Sequence, residues 1–282
     1  MTGFDSLLDY IKSFPKDTLI REVWHRHSAT DIGKRIIHTD YPDKAARYLN
    51  FSQGIPPQNN NGKDYILKWL PIPSDEKTME GYAKVFSHYN CYTTLNYYSY
   101  EYAVEKAKLI TEEEKLKRMK SMPYTFSFDR ILAQSDLTFN IQKNIPKKCF
   151  IDLAFDFDIG KNKMIKTIDQ AIPQVLKLIN YFKQKNTPYS LFFSGGRGFH
   201  VVVPFSSFNQ KMADNNHLIN RHIAELIDFE IGPLHVDYAI YSSRRQFRMV
   251  NTYHQSSGLK KVALKVSDLQ QGEARIIEIA RS

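Results

Sequence analysis

The sequence predicts an α/β protein whose second half is built around a largely antiparallel sheet. Strand signals come first. Apolar residues alternate along 149–158, and two further runs, 189–193 and 199–204, are dense in aromatic and β-branched residues. Helix signals separate them. Residues 167–185 carry Ile168, Ile172, Val175, Leu176, Ile179 and Phe182 at helical spacing, and 212–229 carry Leu218, Ile219, Ile223, Leu226 and Ile227. A further strand starting near Leu234 completes a β-α-β-β-α-β order, which implies an α/β sandwich with an RRM-like sheet.

Taken in order, residues 4–14 read as a short amphipathic helix and 54–64, GIPPQNNNGKD, as a loop. The stretch 92–103, YTTLNYYSYEYA, begins as a strand, and 111–120, TEEEKLKRMK, is a charged helix with a solvated face. NIPKKC at 144–149 is the joint before the next unit, so the expected domains are 1–145 and 146–282. Pro173 argues against an unbroken helix over 167–185. The last residues, GEARIIEIARS, are still helix-like, which leaves room for a helical domain beyond them.

Composition narrows the class. Hydrophobic residues at 42% and charged residues at 24% fit a globular protein. Thirty-nine Lys and Arg against 30 Asp and Glu give a formal charge of +9, which suits a polyanionic partner without demanding one. The 17 Tyr and 18 Phe could stack on bases, though a core uses most aromatics. Two cysteines, Cys91 and Cys149, cannot form a disulfide framework or a cysteine-rich zinc site. The N-terminus lacks the basic-then-apolar order of a signal peptide, and no apolar run approaches a membrane span, so the expected location is cytoplasmic.

Three stretches carry chemistry. In CFIDLAFDFDIG, 149–160, the odd positions are apolar and suit a core, while Asp156 and Asp158 share the opposite strand face roughly 6–7 Å apart. Carboxylates so placed repel unless a cation lies between them, and hard divalent metals take such oxygens. An acidic, solvated strand face is the plain alternative. The third carboxylate is Asp237 in LHVDYAIY, placed on the further strand.

The second stretch is FFSGGRGFHVVVPF, 192–205. It is not a Walker A loop, a dinucleotide fingerprint or a nucleophile elbow, because the spacing and the following helix are wrong. A tight hairpin explains the glycines. Equally, Ser194, Arg197, His200 and backbone N–H groups around Gly196 are donors suited to a triphosphate. The third stretch, SSRRQFRMVNTYHQSSGLKK at 242–261, adds Arg244, Arg245, Arg248 and His254, and alone reads as a basic loop.

In this order the three stretches resemble the archaeo-eukaryotic primase superfamily. LAFDFD matches its paired-aspartate strand, SGGRGFH its glycine turn, and HVD followed by RQFRMVNTYHQSSGL its third aspartate, arginine pair and histidine. The match covers about residues 149–262, with a faint echo in YYSYEYA. The resemblance implies a primase-polymerase fold in which the RRM-like unit is catalytic and an N-terminal α/β module packs against it; the alternating aromatic and basic residues of that module suit closing one side of the cleft and contacting template. It implies that Asp156, Asp158 and Asp237 hold two divalent ions, Mn²⁺ or Mg²⁺. Ser194, Gly196, Arg197, His200, Arg245, Arg248 and His254 would hold the (d)NTP phosphates.

The implied activity is template-directed nucleotidyl transfer on single-stranded DNA, starting and extending primers. Two departures point to free-standing primase-polymerases, found on plasmids, in phages and beside CRISPR loci. No zinc knuckle can be built, so no zinc is expected, and the lysine two residues after the motif-three histidine is Ser256. The end-joining repair polymerase of bacterial ligase D is a second reading, and a catalytically inactive nucleotide- or nucleic-acid-binding module a third.

Overall fold

The computed structural model describes residues 7–27, 66–85, 90–105, 107–108, 149–159, 165–242, 245–254 and 256–282. The loop expected at 54–64, the charged helix at 111–120 and Arg244 lie outside the described residues. Two compact units divide the chain, Met1–Lys148 and Cys149–Ser282. Among the described residues, no helix is long and apolar enough to cross a membrane.

The first unit opens with helix α1 (Leu7–Lys12) and strand β1 (Ile20–His27). β2 (Ile66–Pro73), α2 (Glu76–Val85), β3 (Asn90–Thr94) and β4 (Asn96–Tyr98) follow. β1 pairs antiparallel with β2 from Ile20↔Pro73 to His27↔Ile66, and with β3 from Val23↔Thr93 to Arg26↔Asn90. Pro71 and Pro73 cannot donate to a ladder, which suits a strand with a partner on one side. The aromatic run at 92–103 changes from strand to helix at Ser99, whose hydroxyl accepts the Tyr102 N–H at 3.1 Å.

In the second unit, β5 (Cys149–Ile151) and β6 (Leu153–Asp158) replace the single strand expected over 149–158. The break is at Asp152, a buried carboxylate that accepts the Phe205 N–H at 2.9 Å. Beyond it the alternation holds. Leu153, Phe155 and Phe157 enter the core, which leaves Asp156 and Asp158 on the other face.

Helix α3 (Ile168–Gln184) starts at Thr167, whose hydroxyl accepts the Gln170 N–H. It runs through Pro173. The proline costs about 3 kcal/mol, while six large side chains buried along one face return about 1.5–3 kcal/mol each. β7 (Ser190–Phe193) and β8 (Gly198–Val203) flank the glycine turn.

Helix α4 (Asn216–Ile231) differs from expectation in its buried face. Leu218, Ile219 and Leu226 are exposed, and Asn216, Asn220, Ala224 and Ile227 are buried instead. The asparagines donate to carbonyls of β5 and of the break residue. Asn216 Nδ2 donates to Cys149 O at 2.7 Å, and Asn220 Nδ2 to Ile151 O at 3.0 Å and Asp152 O at 3.2 Å. A buried carbonyl left unpaired is costly, so polarity outranks the apolar count on this face.

The strand expected from Leu234 does not form. Asp237 donates one backbone bond to Asp156 O at 2.8 Å. Its own carboxylate then accepts the Ala239 N–H at 2.9 Å and turns the chain into a 3-10 segment, Tyr238–Ile240. β9 (Gln246–Arg248), β10 (Val262–Ala263), α5 (Val266–Gln270) and α6 (Gly272–Arg281) complete the unit. The sheet order is β10-β7-β8-β6, antiparallel throughout, so the fold is the α/β class with an antiparallel sheet that the sequence predicts. The fourth strand pairs with β7, at the edge opposite β6.

Candidate functional site

The register of this sheet assembles the site. Val262, Phe193, Phe199 and Phe157 form one cross-strand row, and all four face the core. One residue along, Ala263, Phe192, His200 and Asp156 form the neighbouring row, which by the pleat faces the other way. Asp158 stands opposite Gly198. At Gly198 any side chain would meet the Phe157 carbonyl oxygen at 2.2 Å, so only glycine lets the two strands close beside Asp158.

Asp156 is 7% exposed and touches two cationic-type groups. Arg245 donates to its Oδ2 at 3.2 Å, and His200 Nε2 stands 3.5 Å from Oδ1. Burial pushes the Asp156 carboxyl from its usual 3.8 to about 6. The Arg245 charge opposes that rise, while Asp158 and Asp237 add to it. Burial therefore wins over the arginine, and Asp156 feels the charge of both other aspartates.

His200 is driven well below 6.5, first by burial and then by the charges of Lys261, Arg245 and Arg248. It is therefore neutral at pH 7 and stacks on Phe247 with ring centroids 4.0 Å apart. Its buried Nδ1 has no hydrogen-bond partner among the described residues.

The glycine turn is held from within and from below. Ser194 Oγ accepts the N–H groups of Gly196 and Gly198, both at 3.2 Å, so this serine closes the turn. Those two backbone donors are thereby used inside the turn, and Arg197 stands exposed at its tip. Gly196 packs against the His254 imidazole, where an added Cβ would lie 3.0 Å from Nε2. Ser257 donates its hydroxyl to the Gly195 carbonyl and its N–H to His254 Nδ1, at 3.3 Å for the latter. With Nδ1 accepting that bond, the His254 proton belongs on Nε2, on the Gly196 side. Desolvation, then the Arg248 charge, lowers its pKa.

Arg248 is buried and donates to the Tyr253 carbonyl at 2.7 Å, fixing the loop that presents His254. Tyr241 donates to Ala154 O at 2.5 Å and braces the back of β6. The structure thus draws Asp156, His200, Arg245 and Asp237 together, and Ser194, Gly196 and His254 together beside them. Among the described residues, no group of three or more His, Cys, Asp or Glu stands ready to hold a metal ion. The donor chemistry still suits a hard divalent cation. Asp156 carries the charges of Asp158 and Asp237 beside it and is pushed toward holding a proton, a tension that a cation among these oxygens would relieve.

Sequence reasoning missed Phe247 and Lys261. Lys261 is buried, with Nζ 4.7 Å from the Phe192 ring centroid and 5.3 Å from that of Phe247. Its signal was present only as one lysine in a basic loop.

No family model matches the chain, and no curated protein matches it. Among solved structures, it is similar to the polymerase domain of ligase D from Mycobacterium tuberculosis, determined in complex with DNA. That alignment covers 98% of this chain and 88% of the other, with a TM-score of 0.46 and 10% identity.

Proposed function

We propose that this chain is a metal-dependent nucleotidyltransferase that starts and extends primers on single-stranded DNA. The observation that carries the reading is the convergence of Asp156, Asp158, His200 and the Ser194–His254 corner on one end of one sheet. In the reaction, a 3′-oxygen forms a bond to the α-phosphorus of a (d)NTP, and the bond to the bridging oxygen breaks to release pyrophosphate.

Asp156, Asp158 and Asp237 would hold two ions, Mn²⁺ or Mg²⁺, which supply charge to the attacking and leaving oxygens. Arg197, exposed at the turn tip, and the His254 Nε2–H, beside Gly196, would donate to the phosphates. Ser194 and Arg248 hold those donors in place, the first through the turn and the second through the Tyr253 carbonyl. Arg245 offsets the charge of Asp156 and stands beside the same carboxylate that the ions would use.

The test is incubation with labelled NTPs or dNTPs, Mn²⁺ or Mg²⁺, and single-stranded DNA with no primer. An Asp156→Ala, Asp158→Ala double variant is the control. Short products from the parent alone support the reading, and the nucleotide that yields them reports the sugar preference. Extension confined to primed or gapped templates would favour the end-joining polymerase reading. No product on any template would overturn catalysis and leave a binding module.

A further inference from the structure

We infer that Lys261 is a further polyphosphate-binding residue of this site, standing in for the lysine that Ser256 does not supply. The inference rests on the nucleotide-binding reading above and adds a residue to it.

Register places the side chain. Val262 pairs with Phe193 and faces the core, so Lys261, one residue earlier, faces the side that carries Phe192, His200 and Asp156. Its Nζ over the Phe192 ring agrees with that placement. Extending the pairing by one residue sets Lys261 beside Ser194, in the row that ends at Gly198 and Asp158. The backbone contact is close. Gly195 has φ +78°, and a Cβ on it would lie 2.8 Å from the Lys261 nitrogen. Lys260 is used differently, with Nζ donating to the Ser282 carbonyl at 2.9 Å.

Charge points the same way. Lys261, Arg245 and Arg248 all act on His200, so three cations converge on one buried imidazole. Cations crowded together repel one another, and the Lys261 ammonium also lies near two aromatic rings on this face. An incoming polyphosphate offsets that repulsion. Shielded from bulk water, a lysine contact to phosphate is also stronger than it is at a surface. The ligand class is therefore the triphosphate tail, with the sugar and base held elsewhere.

The experiment compares the full chain with K261M, K261R and K260M, measuring affinity for a nucleoside triphosphate and the matching monophosphate. Each variant's melting temperature is recorded alongside. The readout is the preference for triphosphate over monophosphate, because partial unfolding weakens both ligands alike. We expect K261M to lose about tenfold of that preference, K261R to keep most of it, and K260M to match the parent. In turnover, K261M should raise KM for the triphosphate more than it lowers kcat. An unchanged preference in K261M, with the parent binding triphosphate, would overturn the lysine's role alone. A parent that binds no triphosphate would overturn the nucleotide site and this inference with it.

Discussion

Asp156 holds the electrostatic tension of the site in one side chain. Its carboxyl is raised from 3.8 to about 6, mainly by burial, so the folded chain binds that proton more tightly than the unfolded chain does. The group's favourable contribution is complete below about pH 4 and is lost as the pH rises through about 6. At pH 8, Asp156→Asn should therefore be more stable than the parent by on the order of 2–3 kcal/mol, and the advantage should vanish at pH 4. Urea denaturation at the two pH values checks this. A destabilised variant at pH 8 would mean that the Arg245 pair, and not burial, dominates. The placement of Asp156 opposite the core was legible in the alternation of 149–159. Its pairing with Arg245, 89 residues away, was not, because sequence patterns report local faces and not distant partners.

At the scale of elements, periodicity read out α3, β7 and β8 because their buried faces are apolar and local signals agree with packing. It failed where one polar side chain redirects the backbone. Asp152 ends β5 by accepting an N–H from residue 205, and Asp237 diverts a strand into a 3-10 turn by accepting from residue 239. Helix α4 was legible as a helix but not in its orientation, since Asn216 and Asn220 look like solvent-facing residues in a sequence. These asparagines tie α4 to the break that precedes β6. Gln210 extends the seam, accepting from Ile151 N at 2.8 Å and donating to Asn220 Oδ1 at 3.1 Å. Replacing Asn220 with Ala removes its amide donor from the Asp152 carbonyl and from the Ile151 carbonyl, which keeps Gln210 Nε2 at 3.3 Å, and should cost about 1–3 kcal/mol. Thermal denaturation would show it. A loss within about 0.5 kcal/mol would place the seam outside the stabilising framework.

For the molecule as a whole, the β6–β8 register sets the Asp156 strand beside the glycine turn, and the Arg245–Asp156 pair and the packing of His254 on Gly196 bring the third stretch to the same end of the sheet. The ordered motifs made that convergence legible in outline. The +9 charge adds only that a polyanion is a fitting partner. Lys261 shows what was hidden, since a lysine's place depends on a strand pairing that no motif records. We propose that the carboxylates and the donor corner act as one metal and nucleotide site. Calorimetric titration of a nucleoside triphosphate with and without Mn²⁺, in the parent and in Asp158→Ala, tests it most directly. Mn²⁺ should tighten binding to the parent at least about tenfold, about 1.4 kcal/mol, and Asp158→Ala should lose the Mn²⁺-dependent part. Equal Mn²⁺ dependence in both proteins would contradict it.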